Sequence, residues 1–356
     1  MLPELTDQQL VARFARLVVT FCQAAAPGER VLLGGDAVEV LAAIATELRR
    51  VGAVPVADVP PELAAELSAA ADVEDGARAG SRLELWRGAT GYVQVRTSAY
   101  RAAPLPAGPE GDEIRRLRMT KRKTTTYWPD AVLAERAGMS LPRLKAYYAH
   151  LLDLGADDPV PTFEELRDFQ ARLIERLART RQVRIVGDRT DLTLSVEGRG
   201  WQNSYGRRNT PSGEMFTSPH EASANGVVHF DVPSYNFGVP VRGVTLTLRE
   251  GLVVDASAET GGEVLARQLE RDAGARRLGE LGIGGNRRMS RPLGSTLFDE
   301  KIAGTVHLAL GASYPQTGGL NRSALHWDLI KDLRGGGAVY LDGEPFQVDG
   351  RFVDAG

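Results

Sequence analysis

The stretch GTVHLALGASYP, residues 304–315, decides how the second half of the chain is read. In an extended strand Val306, Leu308 and Leu310 point one way, and His307 and Ala309 the other. His307 then faces away from the large aliphatic side chains, as suits a residue aimed into a site. Tyr314 follows beyond Gly311, at the end of the same strand and turn. Working outward, PSGEMF places Glu214 behind Gly213, and LGELGIG places Glu280 where a helical stretch passes into a glycine-rich loop. LHWD carries His326 and Asp328. Residues i and i+2 share a face in a strand but diverge by about 200° in a helix. So His326 and Asp328 reach one metal pair only if their segment is extended, or lies at the turn before a helix expected over 323–333.

Nitrogen and oxygen donors from scattered segments are the materials of a zinc, cobalt or manganese site. A thiolate-rich site is excluded, because the only cysteine is Cys22. Singly, each acid reads as a surface carboxylate and a strand histidine as structural; their company gives the reading its weight. His150, His220 and His229 read as packing or supporting histidines.

The length of 356 residues fits two domains, and a formal charge of -3 argues against nucleic acid or an anionic membrane as partner. One cysteine makes no internal disulfide, so a reducing cytoplasm is expected. No apolar run reaches the ~18 residues of a membrane helix, and MLPELTDQQL lacks the apolar core of a secretory signal.

Before Gln182 the pattern is α/β. Helices are expected over 7–26, 37–51, 61–73, 130–153 and 162–180, the last opened by Thr162 and Glu165 as a capping box. Short strands are expected at Arg30–Leu33, Val54–Val59 and Tyr92–Arg96, and residues 103–112 read as a Pro- and Gly-rich loop. Gly34-Gly35-Asp36 opens a strand–turn–helix unit but lacks phosphate-loop spacing, so it reads as a tight turn. The basic run Glu113–Lys123 reads as a solvated helix face, with an anion site as the functional alternative. From Gln182 strands dominate, with helices expected only near 262–273 and 323–333. The expected architecture is α/β: an N-terminal open α/β sheet domain, residues 1–180, then a C-terminal α+β catalytic domain, residues 181–356.

Several runs together resemble the thermophilic metallo-aminopeptidase family of the aminopeptidase T type. They are Asn209–Thr217, Gly274–Glu280, Leu297–Gly311 and Ser323–Asp328, with Thr190–Thr193 and Gly198-Arg199. The resemblance implies two divalent metal ions, zinc, cobalt or manganese, held by Glu214, Glu280, His307, His326 and Asp328, with Tyr314 in the site as a further ligand or hydrogen-bond donor. It implies Glu280 as bridging carboxylate or base, peptide substrates with a free N-terminus, and a homodimer. The segment from Tyr314 to His326 is shorter than in many members, with Met215 and Ser218 as conservative departures. Two other readings stand beside it: a metal- or ligand-binding protein that kept the scaffold without turnover, and a nucleotide-dependent enzyme working through Gly34-Gly35. The complete donor set speaks against the first and the missing phosphate-loop spacing against the second.

Overall fold

A computed structural model describes residues 4–102 and 104–353. The chain forms two compact units. One runs to Phe163 and takes in Gly206–Pro211; the other holds Glu164–Tyr205 and the chain from Ser212 onward.

In the first unit five parallel strands, β1 (Arg30–Gly35), β2 (Val54–Ala57), β3 (Glu74–Asp75), β4 (Gly91–Arg96) and β5 (Arg122–Tyr127), lie in the order β3-β2-β1-β4-β5. Gly35 adopts φ +119, and a Cβ there would sit 1.7 Å from the Val95 carbonyl oxygen. The glycine turn thus serves close approach of β1 and β4. Asp36 beyond it accepts from the amide and hydroxyl of Thr97, both at 2.7 Å.

The helix expected over 7–26 comprises Asp7–Leu17, capped reciprocally by Thr6 and Gln9, and a wider π turn over Val18–Cys22. Part of the expected 103–112 loop is helix instead: Pro109, at home in a first turn, opens Pro109–Thr120. Position 103 lies outside the described residues. The helix expected over 130–153 is two, Ala131–Arg136 and Leu141–Leu151, parted at Gly138 with φ +62. Thr162 is not a cap: the helix runs Val160–Leu177, Asp158 accepts from the Val160 amide at 3.1 Å, and the Thr162 hydroxyl donates to Asp153. Phe169, Leu173 and Leu177 of this helix join the core of the second unit, so the contacts part at Phe163/Glu164 rather than near residue 180.

The second unit has two sheets. Strands β6 (Gln182–Gly187), β7 (Thr190–Ser195), β10 (Asn225–Phe230), β11 (Val244–Arg249), β12 (Leu252–Ser257), β16 (Ala338–Leu341), β17 (Glu344–Val348) and β18 (Arg351–Phe352) form an antiparallel sheet. Its order is β12-β11-β10-β7-β6-β16-β17-β18. Strands β8 (Gln202–Ser204), β9 (Glu214–Thr217), β13 (Leu278–Gly284), β14 (Thr305–Gly311) and β15 (His326–Asp332) form a second antiparallel sheet, ordered β15-β14-β13-β9-β8. Two expectations are corrected here. Glu280 lies in a fully buried strand, not at the mouth of a loop, because its glycines let neighbouring groups approach closely: a Cβ at Gly279 would sit 2.2 Å from the Ala312 carbonyl oxygen. Residues 326–332 are strand, not helix, with Trp327 and Leu329 in the core shared with Leu281, Ile283, Val306 and Leu308. Among the described residues no helix is long and apolar enough to cross a membrane.

Candidate metal centre

Alternation along the smaller sheet sorts its residues. Met215, Leu281, Ile283, Val306, Leu308, Leu310, Trp327 and Leu329 enter the hydrophobic core. Period two then sends Glu214, Glu280, His307, His326 and Asp328 to the opposite face. Register aligns them: Gly282 pairs with His307, Ala309 with both Glu280 and Asp328, and Gly311 with His326. Small partners leave room for large polar side chains.

The side chains converge. His307 Nε2 lies 3.4 Å from Glu214 Oε2 and 3.5 Å from Glu280 Oε1. His326 Nε2 lies 3.2 Å from Glu280 Oε2 and 3.5 Å from Asp328 Oδ1. The Tyr314 hydroxyl is 3.4 Å from His326 Nε2. The structure thus brings together all six residues singled out in the sequence. Glu214, Glu280 and His307 are buried, whereas Tyr314 and Asp328 are half-buried and His326 is exposed, and these three form the accessible rim.

Two neighbours were not singled out. Lys301, fully buried, donates to Glu214 Oε1 at 2.9 Å and to Glu300 Oε1. Donor atoms of Glu214, Glu300 and His307 form one compact group, and those of Glu280, His307 and Asp328 another. The available signal was a run of three charges, Asp299-Glu300-Lys301, between Phe298 and Ile302. The other charge in that run, Asp299, is spent locally, accepting from the amides of Leu293, Gly294 and Ser295 at 2.6–3.1 Å. His229 and His220 stay outside, bonded to Thr245 and to the Glu197 carbonyl respectively.

The electrostatics reflect crowding. Burial alone pushes the Glu280 carboxyl up, but its two imidazoles outweigh that and hold it below the usual range. Burial disfavours the charged His307, yet Glu280 and Glu214 raise it to about 9. Burial and the field of neighbouring acids push Glu300 up to about 8 against the pull of Lys301, and burial and nearby carboxylates drive Tyr314 well above 10.

The profile of the thermophilic metalloproteases (M29) matches residues 114–346. The chain belongs to this family. Aminopeptidase 2 of Geobacillus stearothermophilus is 33% identical over 207 residues, which are 54% of this chain and 50% of that protein. Aminopeptidase T of Thermus thermophilus is 30% identical over 277 residues, 71% of this chain and 59% of the relative. The match thus spans between half and three fifths of these two relatives. The solved structure of wild-type AmpT from Thermus thermophilus superposes with a TM-score of 0.75 at 22% identity, covering 98% of this chain and 100% of the other, so the fold is shared.

The donor set fits the divalent cation that membership of the thermophilic metalloproteases implies. Ligand atoms about 2.0–2.2 Å from one tetrahedral ion stand about 3.3–3.6 Å apart. The nitrogen–oxygen distances of 3.2–3.5 Å match that edge. A direct charge-assisted bond is shorter, about 2.7–2.9 Å. His326 Nδ1 lies 2.9 Å from the Ala312 carbonyl oxygen; donating there fixes the tautomer and leaves the Nε2 lone pair for an ion. A ligating imidazole must be neutral, so an ion at His307 displaces a proton.

A methyl group at Gly282 would sit 1.9 Å from His307 Nε2. Gly282→Ala is therefore expected to displace the imidazole and lower metal affinity by about 10- to 100-fold, the range for disturbing a ligand's support. Metal content after dialysis against a graded chelator reads this directly; unchanged retention would show that the imidazole has room to move.

Proposed function

We propose that this chain is a metal-dependent aminopeptidase that removes the N-terminal residue of peptides with a water activated by two metal ions. One observation carries the proposal: two imidazoles and three carboxylates converge on one sheet face with ligand-edge spacing. The names of the relatives agree with it. Glu214, Glu280, His307, His326 and Asp328 would hold the ions, zinc, cobalt or manganese, with Tyr314 at the rim and Glu300 as an additional carboxylate. A bound divalent pair supplies Lewis-acid activation of water and of the scissile carbonyl.

The chain's own residues do the rest. Glu280, between both imidazoles and kept ionised, accepts the proton of the attacking water and returns it to the leaving amine. The Tyr314 hydroxyl, kept protonated, donates to the oxyanion that develops on the carbonyl. Surplus negative charge favours a substrate's α-ammonium and sets the preference for unblocked N-termini. The catalytic role of the C-terminal half, a homodimer and a cytoplasmic setting belong to this proposal on the family resemblance.

The test is cleavage of matched free and N-acetylated peptides. Release of the first residue from the free peptides alone supports an aminopeptidase; equal cleavage of both would replace it with an endopeptidase, and none with a binding protein on the same scaffold. Tyr314→Phe is expected to lower kcat on the order of 10²-fold with little change in KM, as loss of one oxyanion donor does. An unchanged kcat would make Tyr314 a packing residue.

A further inference from the structure

The basic run Glu113–Lys123 has no part in the metal centre, and the first unit uses it. One face of β4 and β5 consists of the cross-strand pairs Tyr92/Lys123, Gln94/Thr125 and Arg96/Tyr127. The Arg96 guanidinium lies 4.7 Å over the Tyr127 ring. Arg118, from the helix Pro109–Thr120, lies 5.0 Å over Trp86 and 5.9 Å over Tyr92. Arg208 arrives beside the same strand: its carbonyl accepts from the Thr125 amide at 2.7 Å, and Asn209 pairs with Thr125. Burial, then the fields of Arg96, Arg118 and Arg208, push the Lys123 ammonium down to about 8. Four cations therefore share one patch.

Among the described residues no acid forms an ion pair with Arg96, Lys123 or Arg208. Asp58 stands 4.0 Å from Arg118 but is already bonded to Arg82, at 2.9 and 3.3 Å, and to Trp86 Nε1, at 3.2 Å. Elsewhere buried cations are paired: Lys331 with Asp231, Arg199 with Glu221, Lys301 with Glu214 and Glu300. In the patch Arg96 Nε, Arg118 Nε and Thr125 Oγ1 are buried with no hydrogen-bond partner. The aromatic rings cover the guanidinium faces and fix their planes, but ring faces do not satisfy in-plane N–H donors. Fixed cations with free donors, next to an orphaned hydroxyl, lack one thing: an oxyanion to accept from them.

We propose that this face of β4 and β5 is a binding site for a small-molecule oxyanion, a carboxylate or phosphate group, held by Arg96, Arg118, Lys123 and Arg208 with Thr125 beneath it. The group comes either from a phosphate or from the carboxylate end of a peptide.

The test is calorimetric titration of the full-length protein with inorganic phosphate, with an N-acetylated dipeptide bearing a free carboxylate, and with the same dipeptide amidated. Saturable binding of phosphate or of the free-carboxylate dipeptide is expected, weakened more than about tenfold in both Lys123→Met and Arg208→Ala and unchanged in Glu280→Gln. Arg208 is exposed, so its variant folds whatever happens at Lys123. Binding of phosphate identifies the first source; binding of the free but not the amidated dipeptide identifies the second. No saturable binding of either probe, or binding by both patch variants as tight as by wild type, would overturn the proposal, and loss of binding in Glu280→Gln would assign the anion to the metal centre instead.

Discussion

Glu280→Gln is expected to lower kcat/KM for N-terminal residue release by about 10²- to 10⁴-fold, the usual worth of a positioned general base. The substitution keeps the shape of the side chain but removes its basicity, its negative charge and one of its two acceptor oxygens. Among the described residues Glu280 is the carboxylate whose two oxygens face different imidazoles, His307 at 3.5 Å and His326 at 3.2 Å. That position, between the two imidazoles, suits it to carry a proton from water to the leaving amine. Far-ultraviolet circular dichroism and a melting curve close to wild type would show that the fold is retained. Near-normal turnover would remove Glu280 from the chemistry and transfer the base to Glu214 or Asp328.

The second large effect falls on stability. Lys301 is fully buried, and its ammonium is shared by Glu214 and Glu300. Lys301→Met keeps the aliphatic stem and leaves two buried carboxylates facing each other with His307 as their remaining counter-charge. Removing one partner of a buried ion pair costs about 3–5 kcal/mol. The sign of the pH dependence follows from Glu300, which burial already raises from 4.5 to about 8. Between those values the unfolded chain binds fewer protons than the folded one, so stability falls as pH rises. Losing the ammonium raises Glu300 further, so the variant goes on losing stability above about pH 8, where the wild-type contribution has levelled off, and its deficit is expected to grow there. Urea unfolding of chelator-treated wild type and variant from pH 5 to pH 9 measures it. A pH-independent difference below about 1 kcal/mol would mean that water reaches these carboxylates.

What could be read in advance depended on how local the cause was. His307 was legible because the alternation in TVHLAL is a local property of a strand, and the structure keeps it. His326 and Asp328 were legible as a pair on condition that the segment be extended. The helical spacing of 323–333 argued otherwise, and the sheet prevailed because β14 supplies a full ladder from Asp332 to His326. Glu280 was named, but its strand was missed: LGELGIG has the glycines of a turn, and only the close neighbours of Gly279 and Gly282 explain them. Strand β5, RKTTTY, was hidden behind the charges of the preceding helix, and with it the cationic face it builds with β4. Glu300 and Lys301 meet Glu214 from 86 and 87 positions along the chain, beyond the reach of any local pattern. The open parallel sheet, by contrast, follows from short apolar strands alternating with amphipathic helices, and was expected in kind.

The most direct measurement is a metal titration of catalysis. The protein is stripped with a chelator, and zinc, cobalt or manganese is added back in substoichiometric steps while release of the N-terminal residue from an unblocked peptide is followed. The account predicts no release from the stripped protein and a rise that saturates at about two equivalents per chain, in keeping with a two-ion site. Turnover by the stripped protein, or no turnover at any metal content while ions bind, would contradict it.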